Sequence, residues 1–458
     1  MRRLSLIAVL ATGSLLYAAE PLAAPSGVLD DDRAFDPILN RTPKGLMIGQ
    51  SDWKLSGDLR MGWVQYDYAN PFPADPAINK GHTDSKGFYV MPKVSITSPR
   101  YGGFSVKITG AGVTDFGLND EDEQSRTFAL GTGGESYAIL QEAYVQYKDR
   151  VHEAAVGAKE IVTPMIDADD WYLLADTFQS AYYINRAIEN LQWGAAYFYK
   201  MAGPWDSGAR SGSEEYASMS EASFLPDEVK DAIGDEGVYT AAMVYEAGAH
   251  KLQLWDYYGK EMYNTLFAQY DYTGKNEALS YDFGLQLIRF DDVGKMKDWG
   301  KEPGHEGIGY AIYSARFDGK LVGGVDFATG ASFYTDGEGT GYTLGAWGGY
   351  PYFANGMIFH FFEAGSLRNA NSYKLQLGYD LSEVGLPGLW AGARYTYFDL
   401  DDKYAKNGEG EGQESMALTG LRLSYSKDRL YCTATYEAVD LDNEPNTWAF
   451  RLIGGMTF

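Results

Sequence analysis

Apolar and polar side chains alternate one for one along many segments of this chain. Between Lys54 and Gln65, for example, Leu59 and Met61 fall on one face of the alternation. Asp58 and Arg60 fall on the opposite face. A period of two residues predicts β-strands with one apolar and one polar face. The segments run for about ten residues or more, the length that a tilted strand needs to cross the hydrocarbon core of a bilayer.

Short and long connections between these segments alternate along the sequence. A short turn from Pro99 to Gly103 joins two alternating segments, and a long acidic stretch from Asp115 to Ser136 follows the second. In bacterial outer-membrane barrels the short turns face the periplasm and the long loops face the outside. The pattern predicts an all-β fold, a transmembrane antiparallel β-barrel of about eighteen strands with long extracellular loops. About sixteen strands is the alternative count.

Two stretches depart from the alternation. Pro226 at a first-turn position, the acidic residues after it and Gly234 as a terminator predict a short helix in an external loop. The apolar run from Tyr342 to Glu363 is interrupted by Gly348, Gly349 and Pro351. We therefore interpret this run as a folded outer loop rather than as an extra pair of strands.

The N-terminus has the pattern of a secretory signal peptide. Arg2 and Arg3 form a charged region, and an apolar stretch from Leu4 to Leu16 follows. We expect a signal peptide over residues 1–24, a periplasmic N-terminal segment over 25–52 and a barrel over 53–458. The sequence leaves the cleavage bond open. Export together with a barrel predicts the outer membrane of a Gram-negative cell.

Composition and charge narrow the class of partner. The chain has 458 residues with 36 Tyr and 54 Gly, and its formal net charge is -25. Abundant aromatic residues and Gly suit the interfacial girdles and tight turns of a membrane barrel. The negative charge disfavours nucleic acid, whose phosphates are bound by clustered Lys and Arg. The single Cys432 excludes an internal disulfide.

Carboxylates cluster in the predicted outer loops. The clusters are Asp120 to Glu123, Glu214-Glu215, Asp399 with Asp401 and Asp402, and Asp440 with Asp442 and Glu444. They could supply oxygen ligands to calcium, or to divalent ions that bridge to lipopolysaccharide phosphates. The favoured interpretation is a solvated loop surface. Because no complete calcium-loop motif is present, we predict no metal site and no cofactor.

Motifs for catalysis are missing from the sequence. The five histidines, His82, His152, His250, His305 and His360, are scattered without metal-ligand spacing, and no nucleophile-elbow Ser motif occurs. We therefore expect a protein that is not an enzyme.

Tyrosines near the predicted strand ends suit belts at the membrane interface. They include Tyr66, Tyr68, Tyr147, Tyr197, Tyr199, Tyr257, Tyr258, Tyr270, Tyr272, Tyr395 and Tyr397. In such a belt the ring is half buried and the hydroxyl stays in water. A track of rings that stacks on sugars inside the lumen is the alternative.

The final strand carries an apolar face that ends at the last residue. Trp448, Phe450, Leu452, Gly454, Met456 and Phe458 share this face. A terminal aromatic residue on an amphipathic strand resembles the signal that the outer-membrane assembly machinery reads. We therefore predict that Phe458 is an assembly signal.

Three places in the chain resemble a known family of channels. They are Leu140 to Tyr147 with Val156 to Pro164, then Asp169-Asp170-Trp171 with Asp176-Thr177-Phe178, and finally Tyr379 to Tyr395. These fragments, in this order and with the closing Phe458, resemble the OprD-like porins and the related major outer membrane proteins. The resemblance implies eighteen strands and a constriction loop folded into the lumen, with Asp167, Asp169 and Asp170 in that loop. It leaves open the solute and whether the protein is a monomer or a homotrimer.

Basic residues recur on the polar face of the predicted strands. They are Lys54, Arg60, Lys93, Lys107, Lys159, Arg394, Arg422 and Arg451. Because the last strand must pair with the first to close the barrel, these residues belong to one nearly contiguous inner sector. We expect a basic wall that lines the pore opposite the acids of the constriction loop. The alternative is that these cations only neutralise inward acids such as Asp58 and Glu142.

A passive porin for small hydrophilic solutes is the function that the sequence favours. Carboxylate-bearing solutes such as amino acids or organic acids fit the basic wall. Outer-membrane lipid, lipopolysaccharide and the assembly machinery are the other expected partners. The alternative function is a structural or adhesive surface protein whose barrel is plugged.

Overall fold

Strands that follow one another in the sequence pair antiparallel around the whole structure, and the last strand pairs with the first. The computed structural model describes residues 46–47, 53–67, 84–120, 129–131, 134–168, 170, 173–202, 215–223, 225–339, 347–356, 367–404, 414–441 and 447–458. Besides two pairings of two residues each, these residues form eighteen strands. The predicted closed antiparallel barrel and its strand count are confirmed.

The strand bounds follow the alternating segments of the sequence. The first nine strands are β1 (Lys54–Asp67), β2 (Asp84–Thr97), β3 (Phe104–Val113), β4 (Tyr137–Lys148), β5 (His152–Lys159), β6 (Thr177–Ile188), β7 (Leu191–Ala202), β8 (Val238–Ala247) and β9 (His250–Gly259). The others are β10 (Tyr263–Lys275), β11 (Leu279–Asp292), β12 (Gly309–Leu321), β13 (Val325–Tyr334), β14 (Asn371–Asp380), β15 (Leu389–Asp399), β16 (Ser415–Lys427), β17 (Leu430–Leu441) and β18 (Thr447–Thr457).

Pairing of β1 with β18 closes the barrel. The register runs from Asp58 opposite Thr457 to Asp67 opposite Trp448. Beyond this ladder the backbones of Gly57 and Phe458 exchange two hydrogen bonds, of 2.9 and 3.0 Å. A Cβ atom on Gly57 would lie 2.3 Å from the Phe458 ring, so only glycine leaves room for that ring. The last residue therefore completes the seam.

Alternate residues of each strand face opposite sides of the wall. On β1, Leu59 and Met61 are 36% and 42% exposed, whereas Arg60 and Val64 are 7% and 2% exposed. The exposed apolar residues form the outer surface, and the buried residues between them face the lumen. Among the described residues, no helix is both long enough and apolar enough to span a bilayer.

A cation on the outer face of β1 is expected to destabilise the barrel. Leu59→Arg places a charge among lipid chains, and we expect it to lower the free energy of unfolding by about 2 to 4 kcal/mol. Ser56→Arg is the matched control, because residue 56 lies on the lumen face of the same strand. Urea unfolding of the protein in lipid vesicles measures the free energy of unfolding of both variants. Equal losses in the two variants would contradict this assignment of the faces.

The connections at one end of the barrel are short, and those at the other end include all the long loops. Turns such as 149–151 and 428–429 lie at the periplasmic end. The Asp149 carboxylate accepts hydrogen bonds from the backbone N–H of His152 and Val151 and from the Tyr147 hydroxyl. These bonds hold the pKa of Asp149 at about 2. The turn therefore keeps its charged cap throughout the physiological pH range.

Two short helices lie in the outer loops. Helix α1 spans Asp227–Ile233, with Pro226 before it and Gly234 after it, as the sequence predicts. Its Val229 and Ile233 pack into an apolar cluster inside the barrel, so the helix is not purely external as expected. Helix α2 spans Gly294–Trp299 and was not predicted.

Two of the tyrosines assigned to interfacial belts face the lumen instead. Tyr66 is 1% exposed and Tyr257 is fully buried, each within an inner apolar cluster. Tyr258 and Tyr395 are exposed on the outer face, where a belt would lie. A position near a strand end does not by itself reveal which face a residue occupies. Tyr68 and the predicted signal peptide over residues 1–24 lie outside the described residues, and of the predicted segment 25–52 only residues 46–47 are described.

Candidate functional site in the barrel lumen

The third outer connection folds into the lumen. This segment, loop 3, covers residues 160–176 between β5 and β6. Of its described residues 160–168, 170 and 173–176, all but 160, 162 and 175 are buried. Its tip is a tight turn in which Thr163 Oγ1 donates to the Ile166 carbonyl at 2.7 Å. The backbone N–H of Met165 contacts the Tyr257 hydroxyl of β9 at 3.4 Å. Loop 3 therefore reaches from β5 across to the wall at β9.

The seventh outer connection also enters the lumen. It covers residues 335–370, and its described segment 347–356 is called loop 7 below. The carbonyls of this segment accept side-chain hydrogen bonds from three wall strands. Gln286 of β11 donates to Pro351 at 2.6 Å, Ser372 of β14 donates to Ala354 at 3.1 Å, and Thr396 of β15 donates to Asn355 at 2.8 Å. The sequence-based interpretation of this stretch as a folded loop agrees with its described part, which lies along the inner wall.

Loops 3 and 7 meet inside the barrel. The backbone N–H of Asp167 donates to the Trp347 carbonyl at 2.9 Å, and Ile166 pairs with Gly348. A Cβ atom on Gly349 would come within 2.3 to 2.5 Å of the Met165 backbone, so the contact requires glycine there. Trp347 also donates from Nε1 to the Met219 carbonyl of the fourth outer loop at 2.9 Å. The joined loops narrow the lumen on the side of β9 to β15, where they contact the wall.

Several predicted wall cations lie under loop 3 and contact acids. Arg60 donates to Asp170 Oδ2 at 2.6 Å and to the Leu173 carbonyl at 2.7 Å, and it contacts Asp58 at 3.4 Å. Lys93 pairs with Glu160 at the start of the same loop. Arg60 therefore holds the descending end of loop 3, and Lys93 holds its first residue.

The next two predicted cations lie on β3 and β5. Lys107 pairs with the buried Glu142, one of the acids named in the alternative interpretation. Lys159 donates to the Tyr182 hydroxyl at 2.8 Å and lies over the Tyr144 ring. Lys54 is exposed at the periplasmic end of β1. The cations of the early strands therefore have different partners: Lys107 contacts an acid, Lys159 contacts tyrosines, and Lys54 is exposed.

The predicted cations of the late strands form a separate group on the inner face. Arg422 and Arg451 both lie opposite Thr435, in one row across β16, β17 and β18. Arg394 reaches across Gly420 and pairs with Glu437 of β17. All three arginines are at least 95% buried by the residues around them. This group is called the arginine row below.

Sequence reasoning missed two cations that extend this group. Arg316 of β12 donates to Asp271 at 2.7 Å and lies 4.8 Å from the Phe353 ring of loop 7. Lys374 of β14 is buried opposite Thr396. Both residues share the alternation phase of the buried residues in their strands, so the same argument from period two could have found them.

The structure describes two of the three acids that were assigned to the constriction loop. Asp167 is fully buried where loop 3 meets loop 7, and Asp170 binds Arg60. Asp169 lies outside the described residues. The Tyr352 hydroxyl of loop 7 is buried, and burial raises its pKa well above the usual value. This hydroxyl therefore stays neutral.

The acidic and histidine side chains that the structure describes form no metal site. Within the described ranges no group of three His, Cys, Asp or Glu side chains could hold a metal ion. Of the acidic outer clusters, residues 121–123, 214, 442 and 444 lie outside those ranges. His152 and His250 contact tyrosine hydroxyls, and His305 stacks on Trp299.

Comparisons with known proteins agree with the fold. The family model described as outer membrane porin, OprD family, matches residues 51–426. OccK9 (OpdG) of Pseudomonas aeruginosa superposes with a TM-score of 0.71 at 16% identity, covering 89% of this chain and 98% of that chain. OccAB3 of Acinetobacter baumannii gives a TM-score of 0.69 at 17% identity, covering 89% and 99%. No curated protein sequence matches this chain.

A third structural neighbour was solved with a small molecule. OccK2 (OpdF) of Pseudomonas aeruginosa, in complex with glucuronate, superposes with a TM-score of 0.63 at 15% identity, covering 89% of this chain and 98% of that chain.

Proposed function

Because the chain belongs to the OprD family of outer membrane porins, we propose that it is a passive channel selective for small carboxylates such as amino acids or organic acids. Its place is the outer membrane of a Gram-negative cell, and its family and fold are those of a channel rather than an enzyme. The arginine row carries the proposal, since it puts three cations on the inner wall, and Arg394 lies two residues from Thr396, which donates to loop 7. Cations at a narrow, low-dielectric aperture attract anions and guide their entry.

A carboxylate would pass loop 7 first and the arginine row afterwards. β15 runs outward from its short periplasmic turn, so Thr396, which touches loop 7, lies on the outer side of Arg394. Arg422 lies opposite Gly392, one inward position further toward the periplasm. Arg394 and Arg422 therefore lie at successive depths along the inner wall. OccK2 was solved in complex with glucuronate, which supports a carboxylate as the solute class.

Swelling of liposomes that contain the purified protein tests the proposal. We expect faster entry of small carboxylates than of neutral solutes of the same size. Equal rates would contradict carboxylate selectivity, and no entry of any solute would favour the alternative of a structural or adhesive protein with a plugged barrel. That alternative draws its support from the apolar cluster inside the wall, to which loop 3, loop 7 and the outer connection at residues 203–237 contribute.

We further propose that Phe458 is the assembly signal. Deleting Phe458 is expected to lower the amount of folded, heat-modifiable protein in outer-membrane fractions, because the machinery would lose its terminal aromatic residue. Gly57→Val is the matched control, since it disturbs the seat of the same ring and leaves the signal in place. Assembly of the truncated chain at the wild-type rate would refute the proposal.

The outer surface of the barrel and its outer loops have further expected partners. Outer-membrane lipid would contact the exposed apolar face, and lipopolysaccharide would contact the acidic outer loops through divalent ions. The choice between monomer and homotrimer rests on a sedimentation measurement in detergent.

A further inference from the structure

Two large apolar side chains are exposed in the second outer connection, which follows β3. Phe116 and Leu118 are 69% and 71% exposed. Among the described residues of the outer connections, no other large apolar side chain is exposed. A single exposed apolar residue is ordinary, whereas a contiguous exposed patch marks a contact with a membrane or a partner. The surroundings of this pair therefore decide its role.

The backbone of the turn that carries the pair is fixed by local hydrogen bonds. The Asp115 carboxylate accepts from the backbone N–H of Gly117 at 2.9 Å, and Thr114 Oγ1 accepts from the N–H of Phe116 at 3.0 Å. These bonds hold Phe116 at a φ of 55°, which is uncommon for a bulky residue. Asp115 is buried, so the tip of the turn, residues 116–118, carries no charge. The turn presents an apolar tip in a fixed conformation.

The turn continues an aromatic row on the outer face of the wall. Trp63 of β1 lies opposite Phe88 of β2, and both share the alternation phase of the exposed outer residues. Val90 and Thr114 exchange backbone hydrogen bonds of 2.8 and 3.0 Å, so the ladder between β2 and β3 continues beyond the end of β3. Phe88 and Phe116 each lie two residues further outward than this pair. Phe116 is therefore the third aromatic residue at one level of the wall.

The Asn119 side chain keeps the turn beside β2. Its Oδ1 accepts from the backbone N–H of Phe88 at 2.8 Å, and its Nδ2 donates to the Phe88 carbonyl at 3.0 Å. The amide thus takes the place of a strand partner where the chain leaves the ladder. The turn is held next to Phe88, on a strand whose outer face contacts lipid.

The level of the turn corresponds to the outer boundary of the bilayer. Phe116 lies twelve residues after Phe104, the first residue of β3. A tilted strand crosses the hydrocarbon core in about 9 to 11 residues. Aromatic residues concentrate at both interfaces of membrane barrels. An uncharged apolar tip at this level lies within reach of the lipid.

We propose that the turn at residues 116–118 inserts into the outer leaflet and contacts the acyl chains of its lipid. Continuity with the lipid face identifies this occupant, because the aromatic row of Trp63 and Phe88 leads directly to Phe116. The contact is independent of the transported solute. It adds a segment of an outer connection to the membrane contact that the strands make.

Fluorescent labels at the two positions test the contact. Phe116→Cys and Leu118→Cys are made after the single Cys432 is replaced by Ser, and each is labelled with bimane. The proteins are placed in phosphatidylcholine nanodiscs, whose two surfaces are both open to the buffer. Quenching is measured with a lipid that carries a spin label near the top of its acyl chain, and separately with iodide in the buffer. The ratio of lipid quenching to iodide quenching should be high at both positions.

Two control positions calibrate this ratio. Ile108→Cys lies on the lipid face of β3, and Lys301→Cys lies in an exposed outer loop. Both turn positions should give a ratio close to that of Ile108→Cys and several times that of Lys301→Cys. If Phe116→Cys does not fold, the ratio at Leu118→Cys decides.

Two results would overturn the proposal. A ratio equal to that of Lys301→Cys would place the turn in water. Protection of the labels from both quenchers would show that protein covers the turn, either a second copy of the chain or another segment of the same copy.

Discussion

Replacement of Arg394, Arg422 and Arg451 by Gln should shift the reversal potential of the channel toward cations and slow the entry of small carboxylates by about tenfold. The three side chains lie on the inner wall within one group, so their removal eliminates the positive potential there. Planar-bilayer recordings in a salt gradient measure the first effect, and liposome uptake measures the second. Neutral Gln is preferred to Glu because Arg394 already pairs with Glu437, and a second carboxylate would repel it.

A matched variant removes the same charge outside the lumen. Lys297, Lys301 and Lys403 lie in the outer loops, so their joint replacement by Gln lowers the net charge equally. Exposed charges are screened by salt over about 8 Å at physiological ionic strength, so this variant should have little effect. Equal shifts in both triple variants would show that overall charge, rather than the arginine row, sets the selectivity.

The second large effect is expected at Arg60. Arg60→Leu removes the two hydrogen bonds that hold loop 3 at Asp170 and Leu173, and it leaves the buried Asp170 without this cation. Loss of one partner of a buried pair costs about 3 to 5 kcal/mol, so we expect loop 3 to leave its position. Single-channel recordings should then show a larger and noisier conductance.

Two companion variants separate the loop from the charge. Arg60→Lys keeps the positive charge but lacks the planar fork of donors. Its conductance should therefore lie between those of the wild type and Arg60→Leu. The double variant Arg60→Leu with Asp170→Leu removes both charges and should recover most of the folding stability. Wild-type conductance in Arg60→Leu would contradict a narrowing role for loop 3.

The barrel could be predicted from the sequence because its strands carry a local signal. In β1 the exposed Leu59 and Met61 and the buried Arg60 follow from the alternation alone. The same rule would have corrected Tyr66, which shares the phase of Arg60 and faces inward. At these positions of β1 the alternation alone gives the face on which each residue lies.

The constriction could not be predicted in the same way. Loop 7 has no period, and its position depends on contacts such as Trp347 with Met219 and Asp167 with Trp347, which join distant parts of the chain. The partner of Arg394 was missed for a related reason. Its contact with Glu437 depends on the register of β15, β16 and β17 and on the absence of a side chain at Gly420 between them. No local sequence pattern predicts that register.

Single-channel conductance of the refolded protein in a planar bilayer tests the central claim most directly. A passive porin with the arginine row in its lumen should give discrete, ohmic current steps and a reversal potential that favours anions in a gradient of potassium chloride. Absence of current steps, or steps with a preference for cations in the wild-type protein, would contradict it.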